Sequence, residues 1–242
     1  MHSDVSVFVN YCKERDKTSR LASGCAKIFG HLQLNTKFLN VQQLQLIVIG
    51  GGAAGFMGAI TAAETFKDAN VILLEKNRTL LNKVRISGGG RCNVTNAVAT
   101  LPELLKGYPR GAKFLRSLFE TFNNQHTIKW FEGRGVLLKT EPDGRMFPAT
   151  NTSDTIVDCL MKAAHQAGVK IRTGAGVIQL KPVPTGIEVV LQSGEVLHAD
   201  RVLVTSGGHP QLSGYDWLSE LGVEIVTPVP TLFTFNVPSI PF

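Results

Sequence analysis

Three glycines with G-x-G-x-x-G spacing, Gly50, Gly52 and Gly55, have the residue type and spacing to bind a diphosphate group. They follow Leu46–Ile49, an apolar run typical of a buried strand, and precede residues with helical periodicity. Gly50 would allow the sharp turn, Gly52 would let backbone approach a pyrophosphate, and Gly55 would let the helix pack closely on the strand. Free N–H groups at a helix start favour negative charge. The stretch therefore predicts strand, tight turn and helix.

A carboxylate supports this interpretation. Val71–Glu75 is a second apolar run, and Glu75 lies about 20 residues after Gly55, where an acidic residue accepts hydrogen bonds from ribose hydroxyls. Together the two features predict a site for an adenine dinucleotide. The alternative is a glycine-rich turn in an ordinary α/β protein, with Glu75 solvated at a strand end.

The segment Ser87–Asn96 has the second unusual composition, with three consecutive glycines, Gly88 to Gly90, beside Arg91, Cys92 and Asn93. Such a sequence favours a loop that lets bare backbone approach a ligand, where an arginine can pair with phosphate and an asparagine can bind polar edges. A flexible surface loop is the alternative. The cysteine is either a redox partner or, more simply, a small buried residue.

A second strand, Val202–Thr205, also ends in glycines, Gly207 and Gly208. In a parallel sheet its carboxyl end would lie at the same edge as Gly50–Gly55, where ligands bind. Two glycine-bearing strand ends can flank one extended cofactor. His209 then fits a polar residue at the rim better than a catalytic base.

The remaining elements follow from periodicity and turn residues. A helical pattern covers Pro102–Glu132, and we expect its aromatic residues to lie in the core. A turn is expected at Glu141–Gly144 and a hairpin turn at Gln192–Glu195. We expect a helix over Asp154–Gly168 capped by Asn151–Ser153, a short helix over Tyr215–Leu221, and strands over Val136–Lys139, Val169–Arg172, Val177–Leu180, Ile187–Leu191, Glu195–His198 and at Phe233, Phe235 and Val237.

Composition limits the function classes. With 242 residues, 43% hydrophobic and 18% charged, the chain is typical of a soluble globular protein of about one to two domains. No apolar run reaches the roughly 18 residues of a membrane helix, so we expect no membrane partner. The net charge of +6 comes from scattered residues and suits an anionic dinucleotide, so no nucleic-acid partner is predicted. The oligomeric state is open.

Four cysteines, Cys12, Cys25, Cys92 and Cys159, lie far apart without C-x-x-C or metal-ligand spacing. They predict no metal site and a reducing, cytoplasmic setting. Residues 1–45 are expected to be a weakly ordered N-terminal extension, or an artefact of the assigned start. Residues 46–242 are expected to form the nucleotide-binding domain.

The order of these motifs resembles the BaiN-like flavoproteins, also described as NAD(P)/FAD-dependent or aminoacetone-oxidase-like oxidoreductases. The segment S-G-G-G-R-C-N-V-T-N carries most of the resemblance. The implied fold is α/β, a two-dinucleotide-binding-domain, Rossmann-like FAD-binding fold with a parallel sheet and a small β-meander. The implied cofactor is FAD. The cofactor-binding residues implied by the resemblance are Gly50, Gly52, Ala53, Ala54 and Gly55 at the pyrophosphate, Glu75 and Lys76 at the adenosine ribose, Arg91, Cys92 and Asn93 on the flavin side, Val177 at the adenine, and Gly207 on the opposite edge.

The resemblance covers residues 46–242, the front half of such a protein, and implies truncation before the substrate domain and the C-terminal flavin-binding segment. One departure is Thr205-Ser206-Gly207-Gly208, where the family usually has A-T-G-G. No catalytic acid or base is identified, because the flavin supplies the electron chemistry in such enzymes.

The leading hypothesis is a flavoprotein oxidoreductase that transfers hydride through flavin N5 to or from a small-molecule substrate, with NAD(P)H or the substrate itself as donor. The alternative is a truncated, catalytically incomplete nucleotide-binding fragment. A simple NAD-dependent dehydrogenase would leave the second glycine site unexplained. A flavin enzyme acting on RNA fits the basic charge but has no aromatic and basic patch in the sequence.

Overall fold

The computed structural model describes residues 43–209 and 211–227. The strands are β1 (Gln45–Ile49), β2 (Asn70–Glu75), β3 (Thr95–Asn96), β4 (Leu138–Thr140), β5 (Arg145–Pro148), β6 (Lys170–Thr173), β7 (Val177–Val183), β8 (Gly186–Leu191), β9 (Val196–Ala199) and β10 (Arg201–Val204). The helices are α1 (Ala53–Thr65), α2 (Asn82–Gly90), α3 (Leu101–Lys106), α4 (Ala112–Thr121), α5 (Asn124–Glu132), α6 (Asp154–Gln166) and α7 (Asp216–Ser219), with a 3-10 turn over Leu212–Tyr215.

The central layer is a four-stranded parallel sheet in the order β10-β1-β2-β6. Its apolar strands pack on both faces, as expected for a parallel sheet covered on two sides. On one face of the sheet, Val48 and Leu73 lie in one core cluster with Phe56 of α1 and Leu160 of α6. The predicted inner residues of α1, Phe56, Ile60 and Ala63, are buried.

The opposite face carries Ile47, Ile49 and Leu74, which pack on the antiparallel meander β7-β8-β9 through residues such as Val189. The chain therefore forms helices, parallel sheet and meander in three layers. This confirms the predicted α/β class with its parallel sheet and small meander. The hairpin turn at Gln192–Glu195 is also present, with Gly194 at φ 88°.

A second small antiparallel sheet has the order β3-β5-β4. The predicted turn at Glu141–Gly144 joins β4 to β5, closed by a hydrogen bond from the Gly144 amide to the Glu141 carbonyl at 2.9 Å. The two-residue strand β3, paired through Thr95 and Met146, follows the glycine loop and was not predicted.

The helical pattern over Pro102–Glu132 is divided into three helices rather than one. Gly107 and Gly111 flank the break between α3 and α4, and Asn123 caps α5 by accepting hydrogen bonds from the Gln125 and His126 amides. Glycine and an N-capping asparagine both favour a helix end, which explains the interruptions.

The prediction that the aromatic residues of this region lie in the core is wrong for α4. Phe114 is 76% exposed and Phe122 44% exposed, and Leu118 beside them is 51% exposed. Among the aromatic residues of the described segment 102–132, Phe131 on α5 is buried. Helix α4 packs on α3 and on the turn that follows α3, where the Phe119 ring contacts the Tyr108 ring edge-on with centroids 5.2 Å apart. The apolar face of α4 is wider than the surface that α3 covers, so part of that face stays exposed to solvent.

Across the described ranges, no helix has the length and hydropathy required to cross a bilayer. The predicted extension up to residue 42, together with Cys12 and Cys25, lies outside the described residues, as does the predicted strand at Phe233, Phe235 and Val237. Gln45, assigned by the sequence to the extension, belongs to β1.

Candidate functional site

The turn after β1 requires glycine at two positions for steric reasons. Gly50 has φ 113°, and a Cβ there would lie 2.4 Å from the Thr205 carbonyl oxygen. A Cβ on Gly55 would lie 1.9 Å from the Gly50 carbonyl oxygen. Real Cβ atoms do not approach backbone this closely, so the turn and the first turn of α1 can form only with bare backbone.

Gly52 differs from its neighbours because a Cβ there would meet no atom within 4 Å. Gly52 is the N-cap residue of α1 and has no side chain that could cap the helix. No acidic residue lies in the first turn. Ala53 beside it is exposed and Ala54 is partly exposed. The first N–H groups of a helix have no intrahelical acceptor, so this open helix start is suited to an anion.

Glu75 ends β2 beside the turn. Its Oε2 accepts a hydrogen bond from the Gly51 amide at 2.7 Å, and its Oε1 accepts bonds from the Asn77 amide at 2.9 Å and Nδ2 at 2.7 Å. A carboxylate has about four acceptor positions, so three bonds orient the group and leave one position on Oε2.

The fold brings Lys76 and Val177 to the same place. The Ala175 amide donates to the Glu75 carbonyl at 2.9 Å, and the Gly174 amide donates to the Asn77 carbonyl at 3.1 Å. A Cβ on Gly176 would lie 3.4 Å from Lys76 Cβ. Val177, which begins β7, therefore follows a segment packed along the end of β2.

The second glycine-bearing strand end lies beside the first. β10 pairs in parallel with β1, and the Thr205 amide donates to the Ile49 carbonyl at 2.8 Å. The Thr205 hydroxyl lies 2.9 Å from the Ile49 carbonyl oxygen and 3.1 Å from that of Gly50. Gly207, at φ 70°, thus leaves the sheet at the same edge as Gly52. The predicted juxtaposition of the two strand ends is confirmed.

The predicted loop occupies the C-terminal end of α2. Ser87, Gly88 and Gly89 have non-helical backbone angles, and Gly88, Gly89 and Gly90 have φ values of 57°, 68° and 84°. A Cβ on Gly88 would lie 2.8 Å from the Phe147 ring, whereas Gly89 and Gly90 have no neighbour within 4 Å. The loop thus has one side against β5 and one open side.

Ser153, the N-cap residue of α6, holds the loop, and the sequence did not predict this contact. Its amide donates to the Gly90 carbonyl at 2.9 Å and its hydroxyl donates to the Arg85 carbonyl at 2.9 Å. Because α6 runs into β6 after three residues, its N-terminus lies at the carboxyl edge of the sheet. The sequence predicted Ser153 as part of a helix cap, and a capping serine has the same sequence signal as a serine that binds another loop.

Arg91 points back to the protein. Its Nη1 lies 2.5 Å from Glu141 Oε1, and its guanidinium carbon lies 4.0 Å from the centre of the Phe147 ring. Arg145 contacts the same two groups, with Nη2 3.5 Å from Glu141 Oε2 and its guanidinium carbon 5.5 Å from the ring. The loop is therefore joined to the β4–β5 hairpin by a cluster of charges around one buried ring.

Cys92 and Asn93 complete the loop. Cys92 is 6% exposed at φ 60°, and burial raises the pKa of its thiol, partly offset by a hydrogen bond with Ser87. Asn93 Oδ1 is buried and has no hydrogen-bond partner among the described residues. An unpaired buried acceptor costs free energy, so a ligand that donates to it would be stabilised.

His209 lies beyond Gly208. Its amide donates to the Tyr215 hydroxyl oxygen at 2.5 Å, and its Nδ1 lies 2.9 Å from the Gln211 carbonyl oxygen. The residue is partly exposed, as expected at a rim, and its ring stacks edge-on with Tyr215 at 6.3 Å.

Comparison with known proteins identifies the family. Residues 44–230 match the model of the HI0933-like protein Rossmann domain, which is most of the chain. The chain belongs to the HI0933-like family. This confirms the family resemblance seen in the sequence and the Rossmann-type class of the fold.

Curated relatives of this HI0933-like chain include a reductase and a synthase by name. It is 30% identical over 201 residues to the 3-dehydro-bile acid delta(4,6)-reductase of Clostridium scindens, covering 81% of this chain and 48% of the relative. It is 27% identical over 204 residues to the ribosomal RNA dihydrouridine synthase of Haemophilus influenzae, covering 81% and 49%. The chain thus spans about half the length of these relatives.

A solved structure with the same fold is the 3-ketosteroid-delta4-(5alpha)-dehydrogenase of Rhodococcus jostii in complex with 4-androstene-3,17-dione. It matches the HI0933-like chain with a TM-score of 0.50 at 17% identity, covering 66% of this chain and 45% of that one. At this identity the likeness concerns the fold.

Proposed function

We propose that this chain is the FAD-binding part of a flavoprotein oxidoreductase. The observation that carries the proposal is the contact between two glycine-bearing strand ends, in which the Thr205 hydroxyl lies 3.1 Å from the Gly50 carbonyl oxygen. Two bare-backbone turns at one edge of a parallel sheet suit one long, doubly charged ligand.

Three features support the fit of FAD. The helix start at Gly52 is open where a diphosphate would approach. Glu75 retains one acceptor position for a ribose hydroxyl after its three internal hydrogen bonds. Asn93 has a buried acceptor without a partner in the described part of the chain. An adenine dinucleotide has groups that can bind at each of these positions: a diphosphate for the helix start, and hydrogen-bond donors for Glu75 and Asn93.

The residue roles we propose follow from these positions. The amides around Gly52, Ala53, Ala54 and Gly55 hold the pyrophosphate, Glu75 orients the adenosine ribose with Lys76 nearby, and Val177 offers backbone to the adenine. The loop with Arg91, Cys92 and Asn93 lies on the flavin side, and Gly207 closes the opposite edge. When bound, FAD supplies the redox chemistry through hydride transfer at N5.

We propose NAD(P)H as the hydride donor when the substrate is reduced, and the substrate itself as the donor when the reaction is an oxidation. The relatives' names describe a reductase of delta(4,6) compounds and a synthase of dihydrouridine, which suggests reduction of an activated carbon–carbon double bond in a small molecule. The absence of a nucleic-acid partner stays a prediction, since one named relative acts on ribosomal RNA. An RNA arm therefore belongs in any substrate panel.

The alternative, a catalytically incomplete nucleotide-binding fragment, shares the adenosine and diphosphate contacts. It differs in turnover only, so binding and reduction must be measured separately. A chain that binds FAD, but whose flavin is neither reduced by NAD(P)H nor, once reduced, reoxidised by an enone substrate, would favour the fragment.

The test is titration of the purified chain with FAD, ADP and NAD⁺, with the flavin released by heat identified by mass. We expect FAD to bind more tightly than NAD⁺. Glu75→Gln should weaken FAD and ADP about tenfold, because a charge-assisted hydrogen bond to the ribose becomes a neutral one. Glu64→Gln, at the far end of α1, is the matched control. A chain that binds neither FAD nor ADP would overturn the proposal.

A further inference from the structure

Arg91 makes three different contacts within the protein. Its Nη1 pairs with Glu141 at 2.5 Å, its Nε donates to the Gly88 carbonyl at 3.4 Å, and its planar face covers the Phe147 ring at 4.0 Å. A guanidinium can use its edge and its face at once, which an ammonium cannot. These contacts link the glycine loop to the turn between β4 and β5 and to β5 itself.

The Arg91–Glu141 ion pair is partly shielded from solvent, so it can contribute to stability. The Arg91 side chain is 34% exposed and that of Glu141 is 22% exposed, while Phe147 beneath them is completely buried. Exposed ion pairs contribute little because water and salt screen them, whereas a pair over a buried ring is less screened.

The charges around Glu141 are balanced without any ligand. Glu141 Oε2 lies 3.5 Å from Arg145 Nη2, and Arg145 Nε lies 2.6 Å from Asp143 Oδ2. The backbone amide of Arg145, and then its side chain, hold the pKa of the Asp143 carboxyl below its usual range. Two arginines and two carboxylates thus form a neutral cluster, so an anionic ligand is not needed to compensate Arg91.

We propose that Arg91 is a positioning residue, which acts through Glu141 and Phe147 to hold the Gly88–Gly90 loop in its left-handed conformation, rather than a direct phosphate ligand. The proposal rests on the proposed function, which assigns this loop to the flavin side of the diphosphate. Bare backbone at Gly89 and Gly90 is useful to a ligand only if the loop does not fluctuate, since a preorganised site loses less conformational entropy on binding.

The two roles predict opposite results for Glu141→Gln. If Arg91 binds phosphate directly, removal of its carboxylate partner frees the guanidinium and leaves FAD affinity unchanged or raises it. If Arg91 positions the loop, loss of the partner loosens the loop and lowers FAD affinity. The sign of one affinity change therefore separates the two roles.

The experiment compares the full chain with Glu141→Gln, Arg91→Lys and the double variant, by hydrogen exchange without ligand and by titration with FAD and ADP. We expect exchange of the Gly88–Cys92 amides to rise about tenfold in each variant, because the opening free energy of the loop falls. FAD affinity should fall about tenfold and ADP affinity less than twofold. The double variant should be no worse than the single ones, because both remove the same interaction.

Arg134→Met is the matched control. Arg134 has the same kind of contacts, an ion pair with Glu64 at 2.7 Å and a stack over Trp130 at 3.9 Å, but neither contact involves the Gly88–Gly90 loop. It should change neither loop exchange nor FAD affinity. Circular dichroism checks that each variant is folded. If Arg91→Lys does not fold, the FAD affinity of Glu141→Gln alone separates the two roles of Arg91.

Unchanged or tighter FAD binding by Glu141→Gln would overturn the positioning role, as would equal losses of FAD and ADP affinity in Arg91→Lys. Wild-type protein that binds neither FAD nor ADP would instead overturn the proposed function, so the two failures are distinguishable.

Discussion

The turn at Gly50–Gly55 and the loop at Gly88–Gly90 present bare backbone at the same edge of the molecule but are held in different ways. In the turn, the atoms that exclude a side chain are backbone atoms, the carbonyl oxygens of Gly50 and Thr205. In the loop, the nearest atoms belong to the Phe147 ring and the Asn93 backbone, and Gly89 and Gly90 have no close neighbour.

The difference shows how two glycine motifs can acquire the same exposed backbone by different means. Parallel pairing of β1 with β2 and β10 fixes the turn, so its shape is encoded where its glycines are. The loop is fixed by residues far along the chain, Ser153 on α6 and Glu141 before β5. We expect substitutions in the turn to destabilise the fold through steric overlap. We expect loss of the distant contacts to make the loop more mobile.

The largest effect should separate Gly55 from Gly52. Gly55→Ala places a Cβ 1.9 Å from the Gly50 carbonyl oxygen, and neither backbone can move without breaking the sheet. We expect the free energy of unfolding to fall by about 4 kcal/mol or more. Gly52→Ala adds its Cβ to open space at φ −90°, so stability should change by less than about 1 kcal/mol while FAD and ADP affinity fall at least about tenfold.

Denaturant unfolding followed by circular dichroism measures the free energies of unfolding of the two variants. Ligand titration measures the FAD and ADP affinities of Gly52→Ala. If Gly52→Ala bound FAD like the wild type, the open helix start would not be the diphosphate site. If Gly55→Ala were as stable as the wild type, the close approach of α1 to the turn would be wrong.

A smaller effect should separate Gly88 from Gly89. Both have positive φ, so alanine at either costs about 1–2 kcal/mol of backbone strain. Gly88→Ala also meets the Phe147 ring at 2.8 Å and the Asn93 nitrogen at 2.9 Å. Because a ring can shift more easily than a strand, we expect a total loss of about 3 kcal/mol, between Gly89→Ala and Gly55→Ala. Equal unfolding free energies for the two loop variants would contradict the contact with β5.

The elements that were predicted well carry their signals locally. The four-residue apolar run Leu46–Ile49 of β1, the glycines of the turn and the carboxylate at the end of β2 each have a short-range physical cause, and parallel pairing follows from apolar strands that alternate with helices. The same-edge position of Gly207 followed from that rule alone.

The features that were missed depend on tertiary partners. The exposed stripe of α4 has the periodicity of a core helix, and only the identity of its neighbours decides which apolar residues are covered. Ser153 and Glu141 are 63 and 50 residues from the atoms they bind, Gly90 and Arg91, and no spacing rule links them. The orientation of Arg91 toward the protein could not be seen without Phe147.

The smallest effect concerns Cys92, for which the sequence left a redox role and a structural role open. Burial raises the pKa of its thiol, so the folded state favours the neutral form. The contribution is complete below the unfolded thiol pKa of about 8.5 and is lost as pH rises above it, because the unfolded chain then releases a proton that the native chain keeps. Wild-type stability should fall by about 1 kcal/mol more than that of Cys92→Ala between pH 7.5 and pH 9.5.

Alkylation with iodoacetamide, mapped by mass spectrometry, gives a second measure of the same difference. Burial also raises the pKa of the Cys159 thiol, but Cys159 on α6 is only partly buried and has Arg134 and Lys162 nearby to lower it. We expect Cys159 to react first and Cys92 to react only on unfolding, because the reactive thiolate at Cys92 is both disfavoured and enclosed. Since Cys92 is held at φ 60° by the same loop that Arg91 stabilises, its reactivity should rise in Glu141→Gln and stay unchanged in Gly52→Ala. Fast alkylation of Cys92 in the wild type would instead favour the redox role and would show that the loop opens freely, unlike the turn.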